Sequence, residues 1–199
     1  MQLSLVEKPR EEIVSLEEAK NYLRISHDFD DQLLNMIIKS TREAMESIIQ
    51  KSVIIQTWKY TINNDSICCS SIQKDDFPII RRDVVRIPLP KPPVARIISV
   101  KIDDQEIENK HYTLEKIHSK FCLCLSSKKA FNEKRKAAIT VEYEAGISDK
   151  KENIPYQLKF ANLILIANAY QERYSYNQNS VISQGVKQLL EPFLNLRVF

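Results

Sequence analysis

The chain has 199 residues, of which 43% are hydrophobic and 28% charged, and its formal net charge at pH 7 is +3. A chain of this length buries enough surface to fold without a disulfide or a structural metal, as one large domain or two small ones. The small net charge does not indicate general nucleic-acid binding, which is typical of a concentrated basic face. Only two glycines occur, so the glycine-rich loops that hold phosphates in nucleotide-binding proteins are excluded.

The four cysteines stand as Cys68-Cys69 and as Cys122 and Cys124, and neither pair has the spacing of a zinc site. Free, reduced thiols are therefore expected, as in a protein made in the cytosol. No apolar run is long enough to cross a membrane, and the first residues do not form the pattern of a signal peptide. We expect no cofactor and no membrane partner.

The first predicted elements are two helices. Ser15 and Glu18 have the spacing of a capping box, which predicts a helix that begins there and stops near Ile25. Apolar residues then recur at helical spacing between positions 33 and 49, which predicts a second and longer helix.

After Ser52 the pattern changes to that of strands. Trp58, Tyr60 and Ile62 alternate with polar residues, which indicates a strand with one buried face. A polar stretch over residues 63–83 is interpreted mostly as loop. Because strand follows strand, the region predicts a small antiparallel sheet or sandwich rather than a parallel α/β sheet. The further strands are predicted at residues 84–89, 94–102, 112–114, 121–125 and 138–143.

Helical character returns at Pro155, a residue favoured in the first turn of a helix. The helix that follows, to about Arg173, is apolar on most sides, so it is central to its domain or packed against neighbouring subunits. After a polar stretch, residues 185–199 form an apolar tail that buries against the chain's own core or against a neighbouring subunit.

The predicted fold class is therefore α+β, with helical segments at both ends that pack together and a β-rich antiparallel insertion between them. The predicted domains are residues 1–52 with 153–199, which form a helical domain with a C-terminal tail, and residues 53–152, which form the β-rich insertion.

Two clusters were considered as sites of chemistry. His27 with Asp28, Asp30 and Asp31 is the best candidate for a metal or acid–base site, but carboxylates at a helix start also cap free amides, and Asp28 or Asp30 is expected to do so. The basic run at residues 128–136 is a candidate contact for DNA phosphates, with a solvated hairpin tip as the alternative. No catalytic, cofactor-binding or metal-binding residue is predicted, so we expect no enzyme activity.

Six stretches resemble, in the same order, the motifs of bacteriophage head-tail connector (adaptor) proteins, a family that also occurs in gene-transfer-agent-like particles. They cover nearly the whole chain. The stretches are residues 15–24 (SLEEAKNYLR), 53–58 (VIIQTW), 89–94 (LPKPPV), 141–146 (VEYEAG), 154–173 (IPYQLKFANLILIANAYQER) and 185–193 (GVKQLLEPF). One departure is that the family often has a glycine between the long helix and the first strand, where this chain has Gln50-Lys51-Ser52.

The resemblance implies a structural virion protein that is made in the bacterial cytoplasm and located at the head-tail junction of a phage, a prophage or a gene transfer particle. Its partners would be about eleven further copies of itself in a ring, the portal protein, and a head-completion, stopper or tail protein. DNA would pass through the ring without specific readout. A DNA-binding protein that uses residues 128–136 remains the alternative function.

The resemblance also suggests which apolar residues make contacts. A subunit interface is expected at Leu163, Ile166, Tyr170 and Tyr174. Portal or partner binding is expected at Leu189, Leu190, Pro192, Phe193, Leu196 and Phe199.

Overall fold

The computed structural model of the chain describes residues 1–63, 79–81, 84–117, 120–126, 138–172 and 183–194. Over these ranges it contains four α-helices and nine strands in two antiparallel sheets, so the α+β class is as predicted. The helices are α1 (Leu16–Leu23), α2 (Asp31–Ile49), α3 (Tyr156–Gln171) and α4 (Gln184–Leu190). The strands are β1 (Gln2–Glu7), β2 (Gln56–Asn63), β3 (Ile79–Arg81), β4 (Val84–Pro88), β5 (Val94–Ile102), β6 (Gln105–Glu106), β7 (Tyr112–Ile117), β8 (Lys120–Ser126) and β9 (Ala138–Ala145).

The chain divides into two compact units. One unit, here the β unit, consists of Met1–Lys8 and Ile55–Gly146, and the other, the helical unit, consists of Pro9–Ile54 and Ile147–Phe199. Each unit has its own hydrophobic core. No helix in the described part of the chain is both long and apolar enough to cross a membrane.

The β unit is built from both sheets. Its five-stranded sheet has the order β1-β2-β9-β5-β6 and its four-stranded sheet the order β3-β4-β8-β7. Alternate residues of the central strands point into one shared core, as the pleat of a strand dictates. The fully buried members of this core are Ile62, Val85, Ile87, Val100, Leu123, Ile139, Val141, Tyr143 and Ala145.

A proline-rich connection before β5 is held by hydrogen bonds to β9 and its end. The Tyr143 hydroxyl donates to the Pro90 carbonyl at 2.8 Å, and the Gly146 amide donates to the Pro93 carbonyl at 2.9 Å. Burial raises the pKa of Tyr143 far above its ordinary value, so this hydroxyl stays protonated as a donor. The two motif stretches 89–94 and 141–146 are therefore hydrogen-bonded to each other within the β unit.

Two strands lie where the sequence analysis placed other structure. Strand β1 pairs with β2 and belongs to the β unit, whereas residues 1–52 were expected to group with the helices. Leu3 is the residue of β1 that packs against the core of the β unit. An edge strand with so little buried surface shows no clear alternation of apolar and polar residues in its sequence. Strand β3 lies inside the stretch 63–83 that was interpreted mostly as loop.

The helical unit is organised around α3, which packs against α1, α2 and α4. The capping box of α1 forms as predicted: the Glu18 amide donates to Ser15 Oγ at 3.2 Å, and the Ser15 amide donates to Glu18 Oε2 at 2.7 Å. The core of this unit draws on residues from all four helices, and its fully or almost fully buried members include Ala19, Ile38, Met45, Ile49, Leu158, Ala161, Ile166, Val186 and Leu190.

A buried ion cluster fixes the chain at the two ends of this helical region. Arg42, on α2, donates to Glu12 at 2.8 Å and to Glu46 at 2.9 Å, and both Arg42 and Glu46 are buried. The other oxygen of Glu46 accepts the Val53 amide at 2.8 Å. The Arg42 guanidinium thus holds the segment before α1, and the Glu46 carboxylate holds the segment after α2. Both contacts are expected to persist because a buried charge is costly without its partners.

Candidate assembly interface

The acidic cluster between α1 and α2 is bound by side chains of the chain itself. Lys20 Nζ lies 2.5 Å from Asp28 Oδ1 and 2.9 Å from Asp31 Oδ1, and its hydrogen bond and charge lower the pKa of the Asp28 carboxyl. Asp30 is at the N-cap position of α2, but its carboxylate accepts from the Tyr170 hydroxyl at 2.5 Å instead of from the helix amides. The cluster therefore joins α1, α2 and α3.

These contacts account for the carboxylates that were considered as a metal or acid–base site. Among the residues that the structure describes, no group of three potential metal ligands comes together. His118 and the basic run at 128–136 lie outside the described residues, as do Cys68 and Cys69.

The expected interface residues on α3 do not share one surface. Ile166 is fully buried in the core of the helical unit, so it cannot contact a neighbouring subunit in this conformation. Leu163 and Tyr170 are half-buried and pack against that core, and the Tyr170 hydroxyl is bound to Asp30. Tyr174 lies outside the described residues. The assignment of Ile166 to a subunit interface stays a prediction, since apolar residues surround α3 and spacing alone does not say which side is covered.

The outward side of α3 presents aromatic residues that the sequence analysis did not single out. Tyr156 is 84% exposed, and Phe160, one turn further on, is about half exposed. The Phe160 ring packs edge-on against Tyr22 of α1 with 6.4 Å between ring centres, and Lys159 Nζ lies 5.5 Å from the Tyr156 ring. We call Tyr22, Tyr156 and Phe160 the α3 face. In the sequence, this face is indicated by two aromatic residues at i and i+4, Tyr156 and Phe160, on the side of the helix opposite the buried Leu158.

A second exposed apolar surface lies at the start of α2. Phe29 is 93% exposed, with its ring centre 5.5 Å from that of His27, and Met36 is 66% exposed. Met36 is two residues before the buried Ile38, about 200° away round the helix. We call Phe29 and Met36 the α2 face. The sequence analysis missed it because neither residue fits the apolar stripe of α2.

The apolar tail is partly built into the helical unit. Leu190 is buried in the core, Leu189 and Phe193 are half-buried against it, and Pro192 is exposed. The end of α2 and α4 also form an apolar groove. Its lining residues include Ile48, Lys187, Gln188, Leu190 and Leu194. Leu190 is therefore a core residue of the single chain, and its predicted contact with a partner stays a prediction. Leu196 and Phe199 lie outside the described residues.

Comparison with known proteins identifies the family to which the chain belongs. The sequence model of the head completion protein family matches residues 12–189, and the chain belongs to this family. A search of curated proteins found no match.

Solved structures share the fold over the whole chain. One is from the neck of an empty gene transfer agent particle computed with C6 symmetry, with a TM-score of 0.74 at 17% identity. Another is from the neck of the native particle computed with C12 symmetry, with a TM-score of 0.72 at 16% identity. A third is from the virion of the native gene transfer agent particle, with a TM-score of 0.71 at 17% identity. Each match covers 100% of this chain and 98% of the other.

Family membership confirms the predicted class: head completion proteins are structural virion proteins and not enzymes. The resemblance that the six motifs indicated is confirmed at the same level.

Proposed function

We propose that the protein is a head-to-tail connector subunit that forms a ring between the portal and the tail-side proteins of a phage or phage-derived particle. The observation that carries the proposal is the family match over residues 12–189, supported by the full-length fold match to neck proteins of particles with sixfold and twelvefold symmetry. The ring holds about twelve copies, and DNA passes through it without specific readout.

A ring of identical subunits requires contacts between two different surfaces of the same chain, repeated until the rotation closes. The helical unit supplies surface apolar residues for such contacts, among them the half-buried Leu163 of α3. In this proposal the helical unit makes the subunit contacts. The hydrogen bonds between residues 89–94 and 141–146 stabilise the β unit itself.

Attachment to the portal is assigned to the end of the tail. The residues after α4 include Leu196 and Phe199, and the exposed Pro192 and half-buried Phe193 lie at the base of this segment.

Co-purification with the portal protein tests this role. A chain that lacks residues 195–199 should keep its fold and its ring but lose most portal binding, and a Leu196→Ser, Phe199→Ser double variant should behave in the same way. An Asn195→Ser variant, a polar substitution in the same segment, is the control and should keep portal binding. Undiminished portal binding by the truncated chain would show that the tail is not the attachment site.

A further inference from the structure

We infer that neighbouring copies join head to tail through two different faces of the helical unit. The α2 face of one copy, Phe29 and Met36, contacts the α3 face of the next, Tyr22, Tyr156 and Phe160. This inference rests on the proposed ring and adds the surfaces that form it.

The large hydrophobic side chains that are exposed in the described part of the unit all fall on these two faces. Those residues are Tyr22, Phe29, Met36, Tyr156 and Phe160. Single exposed apolar residues are common on protein surfaces, but several large apolar side chains exposed on one surface mark contact sites. Aromatic residues and methionine are also enriched in protein interfaces.

The two faces are distinct surfaces. Helices α2 and α3 pack on each other through their buried sides, and Met36 and Phe160 each lie about 200° round their helix from a core residue, Ile38 and Leu158 respectively. The faces therefore point away from the shared core in different directions. One copy can use both at once, with a different neighbour at each, which is the requirement for a closed ring.

The charges beside the two faces favour a contact between the α2 face of one copy and the α3 face of another over a contact between two α3 faces. The cation of Lys159 lies over the Tyr156 ring on the α3 face. The α2 face carries the exposed carboxylates of Asp28 and Glu43, and Glu43 is two helical turns after Met36 on the same side. Both carboxylates pair with cations of their own chain, Lys20 and Arg42. Carboxylates still outnumber these cations, because Lys20 also binds Asp31 and Arg42 also binds Glu12 and Glu46. Pairing two α3 faces would bring like cations together, whereas pairing α3 with α2 brings opposite charges together, and such complementarity sets orientation. The occupant of each face is therefore a second copy of this chain.

Charge substitutions on the two faces test the inference. Phe29→Glu and Phe160→Glu each remove one face, and because both side chains are exposed the melting temperature should stay near that of the parent. Under conditions in which the parent forms rings, by mass and negative-stain images, each variant alone should stop short of closed rings. An equimolar mixture should give one-to-one pairs but no rings, since only one intact contact remains per pair. Ile98→Glu, an exposed apolar residue of the β unit, is the matched control and should still form rings.

Cysteine cross-linking provides a second readout that leaves the ring intact. In a chain with Cys68 and Cys69 replaced by serine, Met36→Cys together with Tyr156→Cys should give a ladder of cross-linked oligomers with a short bifunctional maleimide, and either substitution alone should give none. Cys122 and Cys124 are buried and serve as the background.

The outcomes separate the inference from the proposed function. Rings that persist in both Phe29→Glu and Phe160→Glu overturn the inference and leave the connector role standing. Cross-linked dimers from either single cysteine variant also overturn it, because they show contacts between like faces. A parent chain that forms no ring even with the portal protein overturns both.

Discussion

At the scale of single residues, the buried pair Arg42 and Glu46 has the largest expected effect on stability. The Arg42 guanidinium also contacts Glu43, which lies mostly in solvent. Arg42 therefore has one buried partner, Glu46, and one exposed partner, Glu43, on the same helix. Comparing the two carboxylates shows how burial changes the contribution of an ion pair to stability.

Glu46→Ala should lower the free energy of unfolding by about 3 kcal/mol or more, because it leaves the Arg42 charge and the Val53 amide without a buried partner. Glu43→Ala should cost less than about 1 kcal/mol, since an exposed ion pair is weak and is screened by salt. Urea unfolding of the two variants and the parent measures both values. Equal losses would contradict the role assigned to the buried pair.

The end of α2 is a second residue-scale feature. Gln50 follows the helix in the left-handed conformation, with a φ of 57°. Any residue with a Cβ is strained there, and glycine is not.

Gln50→Gly should therefore raise the free energy of unfolding by about 0.5–1 kcal/mol. Ser47→Gly, three residues earlier inside the helix, should lower it by a similar amount, because glycine weakens a helix interior. Opposite shifts of the melting temperature in the two variants are the expected result. A destabilised Gln50→Gly variant would show that the left-handed conformation carries no strain.

At the scale of elements, α4 is a component of the core and not a free tail. Val186 and Leu190 are buried against the rest of the helical unit, whereas the sequence analysis left open whether residues 185–199 bury against the chain's own core or against a neighbouring subunit.

Two truncations should separate these roles. Removal of residues 195–199 should leave the melting temperature nearly unchanged, because the core residues remain. Removal of residues 184–199 should lower it by several degrees, since the loss of Val186 and Leu190 opens a cavity in the core. Differential scanning calorimetry of both chains measures the difference. Equal melting temperatures would mean that α4 does not contribute to the core.

Strong local signals made much of the fold predictable. The capping box of α1, the long apolar stripe of α2 and the β-branched run of β5, which was predicted at residues 94–102 and observed at Val94–Ile102, all depend on neighbours in sequence. The contact of Tyr170 with Asp30 joins residues 140 positions apart, so no local pattern encodes it. For the same reason Ile166 was assigned to a surface: α3 is apolar all round, and only its packing partners decide which side is buried.

At the scale of the whole molecule, the two units have different assigned tasks. The β unit is a two-sheet structure whose motif residues serve its own stability, through Tyr143 and the proline-rich connection. The helical unit carries both exposed apolar faces and the tail. Assembly is therefore expected to be sensitive to changes in the helical unit and tolerant of surface changes in the β unit.

The measurement that tests the central claim most directly is the mass of the purified chain, alone over a concentration series and together with the portal protein, with negative-stain images of the largest species. The connector role predicts closed rings of about twelve copies, either free or assembled on the portal. A chain that remains a monomer at all concentrations and does not bind the portal protein would contradict it.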